Sequence, residues 1–256
     1  MANINYFKYR YGKDIEFNLK DKTHLSIIGN SNDFIVDTLL HGNPKCNIFV
    51  GDKEINEENM SAIRKRMVIV LNKHLNIFVG ETVMDEIAFG LESLAMSKTE
   101  IFELIESECK RFKLTSLLEK DPNSLGSSDK VKMKILSALI IKPKIIVLDN
   151  IMSELDYRDK YLVFNILEEF KRNKGIVINI TNDIEETLNS ERIIIIHDKK
   201  LVCDGKTLSV LNEEKLLKRL GVGIPFIVEL NKYFMDYGMI NRYYLTNERL
   251  VGALWK

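Results

Sequence analysis

The sequence predicts an α/β protein built on a mixed sheet. Residues 145–148 are four consecutive apolar residues followed by Asp149, which is typical of a strand buried on both faces. Residues 176–180 indicate a second buried strand, and apolar residues alternate with polar ones across 15–19, as in a half-buried strand. Open α/β sheets bind ligands at the carboxyl ends of their strands, so Asp149 marks the expected site.

Length and composition limit the classes of protein to consider. The 256 residues allow one large domain, or one domain with an appendage. Lysine plus arginine and aspartate plus glutamate both total 37, which argues against nucleic acid as a partner. Cys46, Cys109 and Cys203 have no paired spacing, so we expect a reducing compartment and no metal site. No run reaches the roughly 18 apolar residues of a membrane span, so a membrane would be reached through a partner.

A strand, a loop and a helix follow one another near the N-terminus, which is the context of a phosphate-binding loop. Residues 25–29 indicate the strand, and residues 34–41 indicate a helix that Gly42 ends. We laid the pattern Gly-x-x-x-x-Gly-Lys-Ser/Thr on the chain from Gly29. The aligned residues are Gly29, Asn30, Ser31, Asn32, Asp33, Phe34, Ile35 and Val36, with Asp37 next in the helix.

The aligned loop lacks the groups that hold phosphate. Phe34 is bulky where the backbone must approach the phosphates, and Ile35 removes a charge-assisted contact worth about 1.5–3 kcal/mol. Asp33 brings a like charge, and Val36 removes a magnesium ligand. We expect nucleotide binding to be weakened about a thousandfold or more, and the loop to be retained for its structural role.

Four runs of the chain resemble a known family in their order along the sequence. Residues 125–129, 144–149 and 153–156 resemble the signature loop, the Walker B strand and the D-loop of an ABC-type ATPase. Residues 76–90 contain a Thr-Val pair and two acids and end in Ala-Phe-Gly. This run closely resembles the ATPase subunits of energy-coupling-factor (ECF) transporters, which import vitamins and metal ions.

The resemblance implies the architecture of the whole chain. It implies a P-loop NTPase-like ABC nucleotide-binding domain at 1–212, with a mixed sheet core and an antiparallel β subdomain. A helical subdomain is expected at about 91–142, and a small C-terminal helical appendage at 213–256.

Three positions of the resemblance carry asparagine where the family has a catalytic group. The family's Walker B strand ends in Asp-Glu and here ends in Asp149-Asn150, which removes a carboxylate worth about 10²–10⁴ in rate. Asn182 replaces a histidine that contacts the γ-phosphate, and it cannot take up charge near neutral pH. Asn72 replaces the Q-loop glutamine and is one methylene shorter. The resemblance therefore implies a nucleotide site in which Asp149 remains and no catalytic residue is intact.

Two further motifs face the partner's nucleotide in a dimer of this family. Relatives have Leu-Ser-Gly-Gly-Gln where this chain has Leu125, Gly126, Ser127, Ser128 and Asp129. Ser127 and Ser128 are both candidates for the hydroxyl that caps the γ-phosphate, while Asp129 offsets part of the positive helix end. The D-loop positions are Ser153, Glu154, Leu155 and Asp156.

The resemblance also implies an adenine contact and a membrane contact. An aromatic residue stacks on adenine in the family; Tyr9 and Tyr11 are both candidates, and an exposed tyrosine on a sheet is the alternative. Coupling helices of the membrane-embedded T component dock beside residues 76–90. Leu75, Ile77 and Phe78 are candidates for this contact, with core packing as the alternative.

The tail carries a short apolar stripe. Ile227, Leu230 and Phe234 follow Pro225 at helical spacing, and Thr246 is placed to cap a last helix. A stripe this short packs either on the main domain or on a second subunit. In ECF ATPases a similar appendage helps to hold the dimer.

The sequence thus predicts a degenerate, non-hydrolysing ATPase-type subunit of an ECF-type ABC importer at the cytoplasmic face of the cell membrane. It would form a heterodimer with an intact ATPase subunit that holds most of the ATP and Mg²⁺. A membrane T component, and through it a substrate-selecting S component, would complete the complex. Two alternatives stay open. One is a divergent active ATPase, because Asp149 and Asp156 remain and Lys130 or Lys132 could approach phosphate; the other is a regulatory or interaction protein on the same fold.

Overall fold

The computed structural model describes residues 6–92 and 96–255. The first five residues of the expected nucleotide-binding domain, residues 93–95 of the expected helical subdomain and Lys256 lie outside the described residues. The strands are β1 Phe7–Tyr11, β2 Ile15–Leu19, β3 Thr23–Gly29, β4 Cys46–Val50, β5 Lys53–Glu54, β6 Met67–Leu71, β7 Ile145–Asp149, β8 Ile176–Ile180, β9 Arg192–His197 and β10 Lys200–Lys206.

The larger sheet positions the expected site. Its six strands lie in the order β10-β9-β3-β8-β7-β6, all parallel except β10, which pairs antiparallel with β9. The four apolar residues of β7 are fully buried, as the sequence predicts. Asp149 at the end of β7 pairs in register with Leu71 of β6 and Ile180 of β8. The loops after β3, β6, β7 and β8 therefore meet at one edge of the sheet, and the mixed-sheet prediction is confirmed.

A second, antiparallel sheet has the strand order β2-β1-β4-β5. It shares a hydrophobic cluster with one face of the larger sheet, in which Phe7, Ile15 and Leu19 pack with Leu25 and Ile178. The predicted N-terminal strands and antiparallel sheet are therefore present.

Helices cover both faces of the larger sheet. They are α1 Asn32–His41, α2 Met60–Arg64, α3 Val83–Leu91, α4 Lys98–Phe112, α5 Ser127–Ile140, α6 Tyr157–Arg172, α7 Thr207–Leu211, α8 Glu214–Arg219, α9 Phe226–Asp236 and α10 Asn247–Leu254. None of those helices combines the length and the apolar character that a membrane crossing requires.

Helices α3, α4 and α5 form a layer against the β6–β7 side of the sheet. Ile87 on α3, Ile105 on α4 and Ile135 on α5 share a hydrophobic cluster with Ile146 of β7. A capping box begins α4: Glu100 N–H donates to Ser97 Oγ, and Ser97 N–H donates to Glu100 Oε2.

The C-terminal helices pack on the same face of the larger sheet, over β3 and β9. Ile227 and Val228 of α9 and Leu250 of α10 share a hydrophobic cluster with Ile28 of β3 and Ile193 of β9. Of the two alternatives for the apolar stripe, the structure shows packing on the main body of the same chain. Thr246 Oγ1 accepts a hydrogen bond of 3.4 Å from Arg249 N–H and caps α10 as predicted.

The predicted start of one helix is wrong, since α1 begins at Asn32, two residues before Phe34. Residues 60–64 form helix α2, which buries Ile63, and strand β6 begins at Met67. Helix α6 begins at Tyr157, because the Asp156 carboxylate caps it by accepting a 2.8 Å hydrogen bond from Asp159 N–H.

Candidate nucleotide site

The turn between β3 and α1 is much shorter than the aligned phosphate loop. Since α1 begins at Asn32, only Asn30 and Ser31 lie between Gly29 and the helix. Gly29 has φ +141°, and a Cβ there would lie 2.0 Å from the carbonyl oxygen of Ile196 on β9. The glycine is therefore required by close packing against the neighbouring strand, independently of any phosphate.

Hydrogen bonds from the β9–β10 turn close this loop. Asn30 Nδ2 donates to Asp198 Oδ1 at 2.8 Å, and Asp198 N–H donates to Asn30 Oδ1 at 2.8 Å. Lys199 N–H donates to Ser31 Oγ at 2.9 Å. The polar side chains of the loop are thus already bonded to the protein.

The positions of the missing lysine and hydroxyl residue lie in the core. Ile35 and Val36 are buried in the hydrophobic cluster between the two sheets. Phe34 is half-buried, with its ring 4.8 Å from the Tyr11 ring at 76° and 5.0 Å from Lys199 Nζ. Asp33 and Asp37 are exposed on α1.

Asparagine side chains link the four loops at this edge of the sheet. Asn32 Nδ2 donates to Asn182 Oδ1 at 2.9 Å and to Thr181 O at 3.0 Å. Asn182 N–H donates to Asn150 Oδ1 at 3.2 Å, and Asn72 Nδ2 donates to Asn150 O at 2.8 Å. We call Asn32, Asn72, Asn150 and Asn182 the amide network. The three positions expected to be degraded are therefore brought together, with Asn32 as a fourth member that sequence reasoning did not single out for this role.

Asn150 adopts a backbone conformation that suits asparagine. Its φ is +47°, and its N–H donates to Ile180 O at 2.7 Å. Asparagine tolerates this left-handed region better than glutamate does. Ser153, the first residue of the D-loop, is bonded to Asn150 as well: its Oγ donates to Asn150 O at 2.9 Å.

Asp149 is a half-buried acid at the end of β7. Burial raises the pKa of its carboxyl group, and the negative charge of Asp33 raises it further, while Lys73 offsets part of the effect. The site therefore disfavours the charged form of this carboxylate.

The signature positions surround the start of α5. Leu125 is buried, Gly126 is the N-cap residue, and Ser127 is exposed with its Oγ 3.3 Å from Glu154 O. Ser128 Oγ donates to Asp159 Oδ2 at 2.7 Å. Of the two candidate serines, Ser127 is the more accessible one.

The two lysines considered as phosphate ligands are bonded within the chain. Buried Lys132 lies 2.9 Å from both Asp129 and Asp159. Burial alone would lower the pKa of Lys132, but these two carboxylates outweigh it and raise the pKa. Lys130 Nζ donates to Asn76 Oδ1 at 2.9 Å. In the D-loop, Leu155 is buried, and Glu154 is only partly so.

Two candidate residues are corrected by the structure. Tyr9 is buried, stacks on Phe17 with ring centroids 5.1 Å apart, and its hydroxyl lies 2.8 Å from Thr38 Oγ1. Burial strongly raises the pKa of Tyr9. It therefore has no free face for adenine, because its alternating position in β1 points into the core. Leu75 is also buried in the core, so it is not part of a docking surface.

The exposed apolar surface near α3 contains residues that sequence reasoning missed. Val79 is 67% exposed, and Ile77 and Phe89 are each 58% exposed. Val79 and Phe89 line a shallow cavity of about 300 Å³, and Phe78 is half-buried beside them. We call Ile77, Val79 and Phe89 the docking patch. Its signal in the sequence is the run of three apolar residues at 77–79 outside any helix or strand, whereas Phe89 lies on α3.

Comparison with known proteins places this geometry in a family. No protein-family model matches the chain. The chain is 31% identical over 213 residues to the energy-coupling factor transporter ATP-binding protein EcfA1 of Mesomycoplasma hyopneumoniae strain J, covering 83% of this chain and 77% of the relative. It is 29% identical over 250 residues to EcfA1 of Enterococcus faecalis, covering 95% and 90%.

A solved structure shares the fold. The cbiO1 protein of Clostridium perfringens, described as part of the ABC transporter complex cbiONQ, matches with a TM-score of 0.72 and 19% identity. The match covers 89% of this chain and 99% of cbiO1. The ABC ATPase fold that the resemblance implied is therefore confirmed. With identity above 30% to a relative across most of both chains, this protein belongs to the family of energy-coupling factor transporter ATP-binding proteins.

Proposed function

We propose that this chain is a non-hydrolysing ATPase-type subunit of an ECF-type ABC importer, paired with an intact ATPase subunit. The observation that carries the proposal is the amide network, because it fills the edge of the sheet where catalytic groups would act. Asn150 Oδ1 accepts a hydrogen bond from Asn182 N–H, so it is already occupied by the protein. Asn150 thus presents an amide at the position where the family has the carboxylate that polarises an attacking water.

The site does not fit a triphosphate with Mg²⁺. Burial of Ile35 and Val36 leaves a packed core where an ammonium and a metal-binding hydroxyl are needed. Asn30 and Ser31 are bonded to the β9–β10 turn, so a phosphate would have to break those bonds before forming its own.

The signature positions of this chain support a role in completing the nucleotide site of a partner subunit. Ser127 is exposed at the first turn of α5, a helix of 14 residues whose N-terminal N–H groups suit an anion. On this proposal, the intact subunit binds ATP and Mg²⁺, and Gly126 and Ser127 of this chain complete that site. The arrangement is a heterodimer.

The docking patch supports attachment to a membrane component. Exposed Ile77, Val79 and Phe89 suit apolar contacts with the coupling helices of a T component. The chain would then lie at the cytoplasmic face of the cell membrane, held there by its partner. An S component bound to the T component would select the vitamin or metal ion.

Calorimetric titration with ATP and Mg²⁺ tests the nucleotide half of the proposal. We expect no binding heat from the purified chain up to millimolar ATP, while an intact ECF ATPase subunit titrated in the same way should bind. Micromolar binding by this chain would overturn the proposed loss of the site. Turnover of ATP by the chain alone would favour the divergent-ATPase alternative.

Co-purification from detergent-solubilised membranes of the native cells tests the transporter half. A tagged chain should bring along a second ATPase subunit and a membrane component, and Val79→Asp should release the membrane component. Val202→Asp is a matched control, because Val202 is 38% exposed on β10, outside the patch. A chain that brings along neither subunit would favour the regulatory or interaction alternative.

A further inference from the structure

Two lysines of α5 hold the segment that carries two residues of the docking patch, Ile77 and Val79. We call residues 76–80 the docking segment. Lys134 Nζ donates to Ile77 O at 2.6 Å and to Glu86 Oε1 at 2.8 Å, and it lies 4.6 Å from the centre of the Phe78 ring. Lys130, one turn earlier, donates to Asn76 Oδ1 at 2.9 Å. The segment is thus bonded to the same face of α5 at two successive turns.

Glu86 is the centre of this contact. Its Oε2 accepts hydrogen bonds from Val79 N–H at 2.7 Å and from Gly80 N–H at 3.0 Å, while Oε1 accepts from Lys134. Only 10% of the Glu86 side chain and 20% of the Lys134 side chain are exposed. Burial alone would raise the pKa of Glu86, but the hydrogen bonds from Lys134, Gly80 and Val79 outweigh it and lower the pKa. The charged form of Glu86 is therefore favoured, and the carboxylate is paired with Lys134 where little water reaches either group.

Close packing leaves the docking segment little freedom of its own. A Cβ on Gly80 would lie 2.2 Å from the backbone nitrogen of Glu86, so the chain passes directly over the start of α3. A displacement of Val79 or Gly80 therefore moves the Glu86 carboxylate, and with it the Lys134 ammonium.

The other side of α5 contacts α6, the helix that directly follows the D-loop. Ser128 Oγ and Lys132 Nζ both bond Asp159 Oδ2, at 2.7 Å and 2.9 Å. Asp159 N–H in turn donates to Asp156, which ends the D-loop. The first two turns of α5 therefore contact the docking segment on one side and α6 on the other.

We propose that Lys134 is a positioning residue that makes the docking segment and the start of α5 move as one unit. A partner seated on Ile77, Val79 and Phe89 would then shift Gly126 and Ser127 at the signature position. This inference rests on the proposed function, because it needs a membrane component at the docking patch. The physical link is a charged hydrogen-bond cluster joining two elements, so breaking it should leave each element folded but independent.

Hydrogen exchange on the full chain tests the link. Lys134→Met keeps the aliphatic stem and removes the charge, and Lys134→Arg restores a cation. In Lys134→Met we expect the hydrogen-exchange rates of the Val79 and Gly80 amides to rise about tenfold or more, because a charged hydrogen bond that holds the Glu86 carboxylate is lost. The exchange rate of the Lys130 amide should rise together with them. This amide makes the first hydrogen bond of α5, to Gly126 O at 3.0 Å.

The matched variants give this measurement its controls. Lys134→Arg should bring the exchange rates of both regions back to within about threefold of the wild-type rates. Lys215→Met, at an exposed position of α8, should change neither rate. A rise at Val79 and Gly80 without one at Lys130 would overturn the inference, because the two elements would then be independent. So would an equal rise in Lys134→Arg, which would show that only packing matters.

The assembled complex separates this inference from the proposed function. Binding of the membrane component should slow Lys130 exchange in the wild type, and should slow only the docking segment in Lys134→Met. Equal slowing of Lys130 in both proteins would overturn the role of Lys134 while leaving the proposed function intact. Failure of any membrane component to co-purify would overturn the proposed function. The proposed movement of Gly126 and Ser127 by a bound partner would then be overturned as well.

Discussion

Asn32 at the start of α1 donates a 2.9 Å hydrogen bond to the side-chain oxygen of Asn182, which follows β8. The bond joins the phosphate-loop position to the position where the family has a histidine. In a nucleotide-binding subunit, a phosphate would lie between such groups and bridge them. Here the two side chains meet directly, so the edge of the sheet is closed by the protein itself.

Gly29→Ala should be strongly destabilising. The new Cβ would lie 2.0 Å from Ile196 O, and φ is +141°, so we expect a loss of about 3 kcal/mol or more in the free energy of unfolding. Gly252→Ala is the matched control: no atom lies within 4 Å of its Cβ, and helix α10 should gain up to about 1 kcal/mol. Urea denaturation measures both, and equal stabilities would contradict the close approach of β3 and β9.

Restoring the family's lysine at Ile35 should damage the fold without restoring nucleotide binding. Ile35 is fully buried, and an ammonium there would cost several kcal/mol in the free energy of unfolding. Ile35→Val should cost only about 0.5–1.5 kcal/mol. Denaturation and ATP titration of both variants check this. A stable Ile35→Lys protein that binds ATP would show that the side chain reaches the surface.

Asn150→Glu should lower stability and produce no ATP turnover. Its φ of +47° is unfavourable for glutamate by about 1–2 kcal/mol, and the longer side chain would displace the bond from Asn182 N–H. Asn150→Asp should cost less, because aspartate tolerates this backbone region and keeps an acceptor at the same reach. Phosphate release and urea denaturation test the pair. Turnover by Asn150→Glu would mean that a single carboxylate is all the site lacks.

His24 should make the protein less stable in acid. Burial, and to a lesser degree the positive charge of Lys171, lowers the pKa of His24 from 6.5 to about 4. Between these values the unfolded chain binds a proton that the folded protein does not, so stability should fall as the pH falls. The loss reaches about 3 kcal/mol near pH 4.

Substitution of His24 isolates this contribution. The His24 Nε2 atom is buried without a hydrogen-bond partner among the described residues, so His24→Leu should be tolerated at pH 7. The stability difference between His24→Leu and the wild type should then shift in favour of the variant from pH 7 to pH 4.5. A difference that does not change with pH would show that His24 has the same pKa in the folded and the unfolded protein.

Local patterns predicted much of the fold. The unbroken apolar run of β7 needed only the rule for buried strands, and the start of α4 needed only the spacing of Ser97 and Glu100. Both features depend on residues close together in the sequence. The resemblance supplied the order of the elements and therefore the meeting of Asn72, Asn150 and Asn182.

The errors came from contacts that a local pattern does not contain. Tyr9 is buried because Phe17 stacks on it from the paired strand β2 and Thr38, 29 residues along the chain, bonds its hydroxyl. Leu75 precedes two exposed apolar positions yet packs in the core, which its own neighbours do not indicate. The contact of Lys134 with Glu86 spans 48 residues, and a lysine in a helix is ordinarily read as a solvated side chain.

The closed β3–α1 loop has a consequence for how the chain keeps its fold in the cell. A protein exposed to ligand at a hundred times its Kd gains about 2.7 kcal/mol of stability from mass action. The bonds of Asn30 to Asp198 and of Ser31 to Lys199 order this loop without any ligand. On the proposed function, an intact ATPase subunit would become less stable whenever the energy supply of the cell falls, whereas this chain would not. Its free energy of unfolding would be independent of the ATP concentration.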